Sequence, residues 1–265
     1  MIMTKDNDFS YIENNSMELA FVSVIGDRKT QEDCFGYKTD NQQVLLCVCD
    51  GMGGYNGGAI ASKTAVETIL HEFEKNNIVD DPVTLLNELT KRANNEVSSL
   101  QSSVEDISNA GSTLVLIFIR DNMLHWSAVG DSRLYIWRNK EFIQTTKDQN
   151  YHTVLKEKLR AGEMTEDEFH QGQSRGDSLV NYLGIGELNL IDYNKEPLKL
   201  KSGDQLIVCT DGLYRILTDE EVSNILNMKN DAISTLQMIE STVRKKSKEK
   251  NKRRDNMTVS LIKVK

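Results

Sequence analysis

Proline is almost missing from this chain, with two in 265 residues, and no low-complexity run marks a linker. Long apolar stretches are missing too. Nothing approaches the roughly 18 uninterrupted apolar residues that a bilayer span requires, so no membrane partner is expected. There is no excess of basic charge. The 32 Lys and Arg against 40 Asp and Glu leave a net charge of −8, which argues against a general nucleic-acid binder. The first residues, Met1-Ile2-Met3-Thr4-Lys5-Asp6, turn polar at once and lack a secretory core, so cytoplasm is the expected location. Cysteine is sparse. Cys34, Cys47, Cys49 and Cys209 fall mostly inside apolar runs, with neither paired Cys-x-x-Cys motifs nor added histidines at zinc spacing. They read as buried reduced thiols.

The rest of the composition is that of a soluble globular protein, 38% hydrophobic and 27% charged. Two apolar runs stand out because each ends in Asp-Gly. Leu45-Leu46-Cys47-Val48-Cys49 leads to Asp50-Gly51, and Leu206-Ile207-Val208-Cys209-Thr210 leads to Asp211-Gly212. Runs this apolar predict strands buried on both faces. A carboxylate at such a strand end is partly stripped of water and needs a counter-charge or a proton.

Strands are predicted at 19–25, 44–49, 113–119, 123–129, 133–137, 205–209 and 257–264. Helices are predicted at 59–75, 83–100, 150–159, 219–226 and 231–248. Helices in pairs between blocks of strands give an α+β order rather than strict alternation. No repeat or composition break divides the chain, so one domain spans 1–265, with 1–17 expected to be peripheral or poorly ordered. The stretch 145–186 is glycine-dotted and charged. It reads equally as a helical flap over a site or as a solvated surface insertion.

More acids follow the same placement. Gly130-Asp131-Ser132-Arg133 lies between two predicted strands, Asp255-Asn256 directly precedes a third, and Glu32-Asp33 stands just after Arg28. Singly, each suits an ordinary turn. Gathered by one rigid sheet they would repel strongly, so either several are protonated or divalent cations sit among them. Oxygen-only ligands favour Mg²⁺ or Mn²⁺ over zinc. Two such ions form a recurrent device for phosphate-ester hydrolysis, with an arginine such as Arg28 suited to the remaining phosphate oxygens. A dinucleotide-binding turn at Gly51–Gly58 competes poorly. Asn56 stands where that fingerprint needs glycine or alanine, and the preceding strand ends in an acid.

The ordered set Gly26-x-Arg28-x-x-x-Glu32-Asp33, Asp50-Gly51-Met52-Gly53-Gly54, Gly111-Ser112-Thr113, Gly130-Asp131-Ser132-Arg133, Gly203-Asp204, Thr210-Asp211-Gly212-Leu213 and Asp255-Asn256-x-Thr258 resembles the bacterial type of the protein phosphatase 2C family, the metal-dependent serine/threonine phosphatases. The resemblance implies a four-layer α-β-β-α sandwich with two central antiparallel sheets. It implies that Asp50 bridges two Mn²⁺ or Mg²⁺ ions, with the Gly51 carbonyl on one and Asp211 and Asp255 on the other. Asp131 with Asp211 matches a looser third metal site. Glu32 and Asp33 would hold metal-bound waters, and Arg28 would grip the substrate phosphate. The implied reaction is direct attack by a metal-bridging hydroxide on phosphoserine or phosphothreonine, without a phospho-enzyme. The implied partners are phosphoproteins and an opposing serine/threonine kinase, for an enzyme expected to be a monomer in signal transduction.

The chain departs from the family pattern at four places, one of them the segment Gln173-Ser174-Arg175-Gly176-Asp177, unlike the usual end of the flap. Tyr55 replaces a histidine proposed as general acid in some relatives, Gly58 replaces a usual glutamate, and Gln149 replaces the histidine opening the flap. None of His71, His125, His152 and His170 aligns with a ligand or acid position, which leaves a metal-bound water to protonate the leaving group. The basic run 245–254 reads either as a solvated helix end or as a docking surface for anionic segments. A pseudophosphatase, the same fold used only for binding, is the alternative from another class.

Overall fold

The computed structural model describes residues 2–3, 8–40, 43–53, 56–75, 81–103 and 109–265. In chain order the elements begin with β1 (Ile2–Met3), β2 (Asp8–Glu13), β3 (Met17–Val24), β4 (Asp33–Thr39) and β5 (Gln43–Met52). The helical pair α1 (Gly57–Lys75) and α2 (Pro82–Ser103) follows, then β6 (Gly111–Ser112), β7 (Leu114–Arg120), β8 (Met123–Val129), β9 (Arg133–Arg138) and β10 (Glu141–Gln144). An excursion carries α3 (Tyr151–Arg160) and α4 (Glu166–Gly172), and β11 (Asp192–Tyr193), β12 (Leu198–Lys199) and β13 (Gln205–Cys209) return to the sheets. The last elements are α5 (Asp211–Tyr214), α6 (Asp219–Leu226), α7 (Ala232–Glu249) and β14 (Met257–Val264).

The strands form two antiparallel sheets. One has the order β1-β4-β5-β7-β8-β11, with β6 beside β5 and β12 beside β8. The other has the order β10-β9-β13-β14-β3-β2. Alternation along the strands explains the layers. Leu45, Cys47 and Cys49 of β5 pack outward on Ala61, Ile69, Leu86 and Leu89 of α1 and α2. Their neighbours Leu46 and Val48 point inward and meet Phe21, Leu206, Val208 and Ile262 of the opposite sheet. Ile207 and Cys209 of β13 face outward again, onto Ile225 of α6 and Leu236 and Ile239 of α7. This is the four-layer α-β-β-α sandwich. Each fully buried Leu or Ile contributes about 1.5–3 kcal/mol by leaving water, which makes these three apolar layers the main source of stability. Phe21 stacks with Phe35 and Tyr37 at ring-centroid distances of 5.2 and 4.7 Å, joining the two sheets.

Predicted and observed strands coincide at 123–129, 205–209 and 257–264. The sequence reading omits β2, β4 and β10. β4, Asp-Cys-Phe-Gly-Tyr-Lys-Thr, has a central glycine and charged ends, so neither alternation nor an unbroken apolar run announces it. α4 is omitted because none of its residues is buried; its signal is a capping box instead, with Thr165 and Glu168 exchanging hydrogen bonds. Strand direction places the functional loops. β5 and β8 end, and β4, β7, β9 and β14 begin, at one rim of the sandwich, as their antiparallel registers require.

Candidate metal centre

At that rim the backbone is fixed before any side chain is considered. Asp33 and Asp50 are direct partners across β4 and β5. The Asp50 amide donates to Thr113 Oγ1 (2.9 Å), and the Asp50 carbonyl accepts from the Thr113 amide (2.8 Å) and Ser112 Oγ (3.1 Å). Thr113 Oγ1 in turn lies 2.7 Å from Ser132 Oγ, tying the Asp50 turn to the Asp131 turn. Gly51 donates to the Glu32 carbonyl at 3.0 Å. A Cβ on Gly51 would stand 2.0 Å from the Gly58 carbonyl oxygen, so only glycine permits this approach. A Cβ at Gly58 would lie 2.9 Å from Glu32 Oε1, so the small residue at 58 leaves room for the Glu32 carboxyl.

Asn256 holds the other side. Its Oδ1 accepts from the Glu32 amide (2.8 Å), and its Nδ2 donates to the carbonyls of Ile25 (2.9 Å) and Thr30 (3.0 Å). It thereby sets the loop bearing Arg28 and Glu32 against the loop bearing Asp255. Behind the rim, Tyr214 Oη donates to the Asp131 carbonyl (2.9 Å), and Arg133 lies 3.6 Å over the Tyr214 ring while making a two-toothed pair with Asp148 (2.9 and 2.6 Å). Gln149 Oε1 accepts from the Gly130 amide (2.9 Å) and from Asn181 Nδ2 (2.6 Å). Gln149 is thus a buried clamp between the excursion that carries α3 and α4 and the floor below it.

The electrostatics follow from this gathering. Burial pushes the Asp33 carboxyl up to about 8, with Asp211 and Asp255 adding to it, while the Thr210 hydroxyl, donating to Oδ2 at 2.8 Å, pulls the other way. Asp33 Oδ1 is buried without a hydrogen-bond partner. Burial holds Asp50 well above the usual carboxylate range, reinforced by the charges of Asp33, Asp211, Asp131 and Asp255. Asp211 rises to about 7 through burial, opposed by Arg215. Glu32 and Asp131 are raised mainly by burial as well.

All eight sequence-predicted positions therefore lie on one rim, but two acids have taken arginines as counter-ions. Arg28 Nη2 donates to Asp255 Oδ2 (2.5 Å), and Arg215 forms an ion pair with Asp211, Nε 2.8 Å from Oδ2. Among the described residues, no three His, Cys, Asp or Glu side chains stand ready to hold an ion as they are. The donor set nevertheless fits a pair of hard divalent ions: carboxylate and carbonyl oxygens only, one of them an orphaned buried carboxylate oxygen, with Asp33, Asp50 and Asp211 raised chiefly by burial and further by their acidic neighbours. Sequence reading missed Arg215 and Tyr214, and gave Asn256 no role beyond its place in the motif. The i,i+4 spacing of Asp211 and Arg215 was the available signal for the first.

Other expectations fall elsewhere. Tyr55 lies outside the described residues. His71 pairs with Glu72 on α1, His125 is buried in β8, and His152 and His170 sit on α3 and α4 beside Phe169. All four cysteines are buried thiols outside any disulfide, with burial pushing the Cys34 thiol up to about 12. Much of the basic run is spent internally. Lys246 pairs with Glu221, Lys250 Nζ donates to the Ile216 carbonyl, and Arg253 and Arg254 hold Asp27.

A sandwich of this order with oxygen-only acids along one rim defines the class of metal-dependent phosphatase folds. The family model for protein phosphatase 2C matches residues 23–257, and the chain belongs to that family. It is 29% identical to the serine/threonine phosphatase stp of Listeria monocytogenes over 72% of this chain and 74% of that protein. It is 26% identical to the protein phosphatase PhpP of Streptococcus pneumoniae over 79% and 84%. Among solved structures, a serine/threonine phosphatase of S. agalactiae superposes with a TM-score of 0.82 at 23% identity, covering 94% of this chain and all of that one. The catalytic domain of the phosphatase PstP in complex with two manganese ions gives a TM-score of 0.73 at 25% identity, over 94% and 98%.

Proposed function

We propose that this protein phosphatase hydrolyses phosphoserine and phosphothreonine in proteins with two Mn²⁺ or Mg²⁺ ions at the rim. The observation that carries this reading is the convergence of Asp33, Asp50, Asp211 and Asp255 on one another's charge, with no histidine or thiolate in the donor set. The side chain of Asp50 and the carbonyl of Gly51 would hold one ion, and Asp50, Asp211 and Asp255 the other. Glu32 and Asp33 would orient waters around them, as outer partners do for bound metals.

When bound, the ions supply an activated water and draw charge from the phosphoryl oxygens. The chain's own groups do the rest. Ser112, Thr113 and Ser132 lock the Asp50 turn, so the carboxylate needs little reorganisation. Arg28, 47% exposed, stands at the mouth and can exchange Asp255 for phosphate oxygens, to which its planar fork is matched. Among the described residues no histidine makes a hydrogen bond or ion pair with a rim acid, and water protonates the departing seryl or threonyl oxygen in this reading. The substrates come from an opposing serine/threonine kinase, and the enzyme acts as a cytoplasmic monomer in signal transduction. No described helix is long and apolar enough to cross a membrane. Manganese-dependent cleavage of an aryl phosphate and of a phosphothreonine peptide, both abolished by Asp211→Asn, tests the reading. Binding of the peptide without turnover at saturating Mn²⁺ would replace it with the pseudophosphatase.

A further inference from the structure

Beside Asp211 and Asp131, where the family resemblance implies a third metal ion, the chain places a cation of its own. Arg215 sits one helical turn after Asp211, with Nε 2.8 Å from Asp211 Oδ2. Its charge also acts on Asp131, which lies 6% exposed across the same space. The other end of the guanidinium, Nη1, lies 3.3 Å from Asp177 Oδ2, in the segment that closes the excursion after α4. The preceding residue, Tyr214, donates to the Asp131 carbonyl and carries Arg133 on its ring. The backbone at 214–215 is therefore anchored to the Asp131 turn, and the guanidinium is delivered to that space by the fold.

We propose that Arg215 stands in for a third metal ion, so that this phosphatase binds two ions rather than three, and that its outer arm fastens the flap residue Asp177 to the catalytic floor. The inference rests on the two-ion reading above. Charge matching supports it. The rim holds six carboxylates, Glu32, Asp33, Asp50, Asp131, Asp211 and Asp255. Two divalent ions with Arg28 and Arg215 supply six positive charges. A third divalent ion would have to displace a guanidinium already ion-paired with one of its two ligands, and would then meet that displaced charge nearby. The two arms differ in strength. Asp211 is 13% exposed and Asp177 79%, so the inner bond is the firm one and the outer bond is a weak, salt-sensitive latch. A cation fixed in the protein would also make flap position independent of metal concentration, unlike a loosely bound ion.

The test is a count of ions. Purified protein is stripped of metal and titrated with Mn²⁺, with bound and free ion separated by electron paramagnetic resonance and heats followed by calorimetry. The expected stoichiometry is two for the wild type, two for Asp131→Asn and two for Arg215→Lys. Arg215→Ala should show a third, weaker step that disappears in Arg215→Ala/Asp131→Asn. A wild-type third ion that Asp131→Asn removes would overturn the proposal, as would Arg215→Ala staying at two. Because Arg215→Lys and Asp131→Asn are conservative, the count survives even if Arg215→Ala folds poorly. Failure of the wild type to bind any Mn²⁺ would instead remove the two-ion reading and this inference with it. For the outer arm, amide hydrogen exchange at 173–179 should quicken in Asp177→Ala and in Arg215→Ala alike, and unchanged exchange would eliminate the latch.

Discussion

Replacing Asp33 by asparagine should make the metal-free protein more stable, although it removes an acid from the proposed centre. Asp33 is 2% exposed, lies across from Asp50 and has one buried oxygen without a partner. Its pKa rises from 3.8 to about 8 on folding. Between those values the folded chain holds a proton that the unfolded chain has released, so stability falls as pH rises through that window. At about 1.4 kcal/mol per pH unit, the cost near pH 7.5 is at most about 5 kcal/mol. Relaxation and sharing of protons among neighbouring acids reduce it to roughly 2–4 kcal/mol. Asparagine avoids the charge and can still accept from Thr210. For a chain of this size that gain is roughly 5–15 °C in melting temperature. Thermal unfolding by circular dichroism, in chelator, should show the asparagine variant above the wild type at pH 8 and the two together near pH 4. Saturating Mn²⁺ should narrow or reverse the gap at pH 8, because the wild type keeps the full donor set. Equal melting at pH 8 in chelator, or the same gap at pH 4, would refute the reasoning.

Arg28→Ala should lower kcat/KM on a phosphothreonine peptide about 100-fold, the loss of roughly 3 kcal/mol of charge-assisted hydrogen bonding, while Mn²⁺ stoichiometry stays unchanged. Steady-state kinetics beside a metal titration separates the two effects. Gly51→Ala should abolish activity or yield insoluble protein, since its Cβ would meet the Gly58 carbonyl at 2.0 Å; full activity would show that the β5 turn relaxes freely. Asp204→Ala removes the two-toothed pair with Arg138 (2.8 and 2.6 Å), which pins the turn before β13 to β9, and should cost about 3 kcal/mol by urea unfolding without changing Mn²⁺ affinity.

The acids were legible because their chemistry is tied to strand ends. Asp50 and Asp211 each terminate an apolar run whose burial on both faces could be read directly, and the structure places both strands in sheet centres. Asp33 was legible as an acid, but its strand was not, because Gly36 interrupts β4 and its burial depends on partners far away in sequence. The supporting polar groups were illegible for a related reason. Thr113, Ser132 and Asn256 are short side chains whose roles exist only once loops separated by many residues meet. Gln149 could be read only as a missing histidine, whereas its hydrogen bonds define a clamp. Arg215 obeys a local i,i+4 rule, yet only the juxtaposition with Asp131 and Asp177 gives it meaning.

β14 pairs with both β13 and β3, at the middle of its sheet, and it follows the other strands of that sheet in chain order. During synthesis, therefore, the sheet exists as two unjoined halves until this segment leaves the ribosome. Asp255 and Asn256 arrive in the same few residues that close the gap. Nascent or prematurely stopped chains lack both the keystone of the sheet and Asp255, one of the four proposed ion ligands.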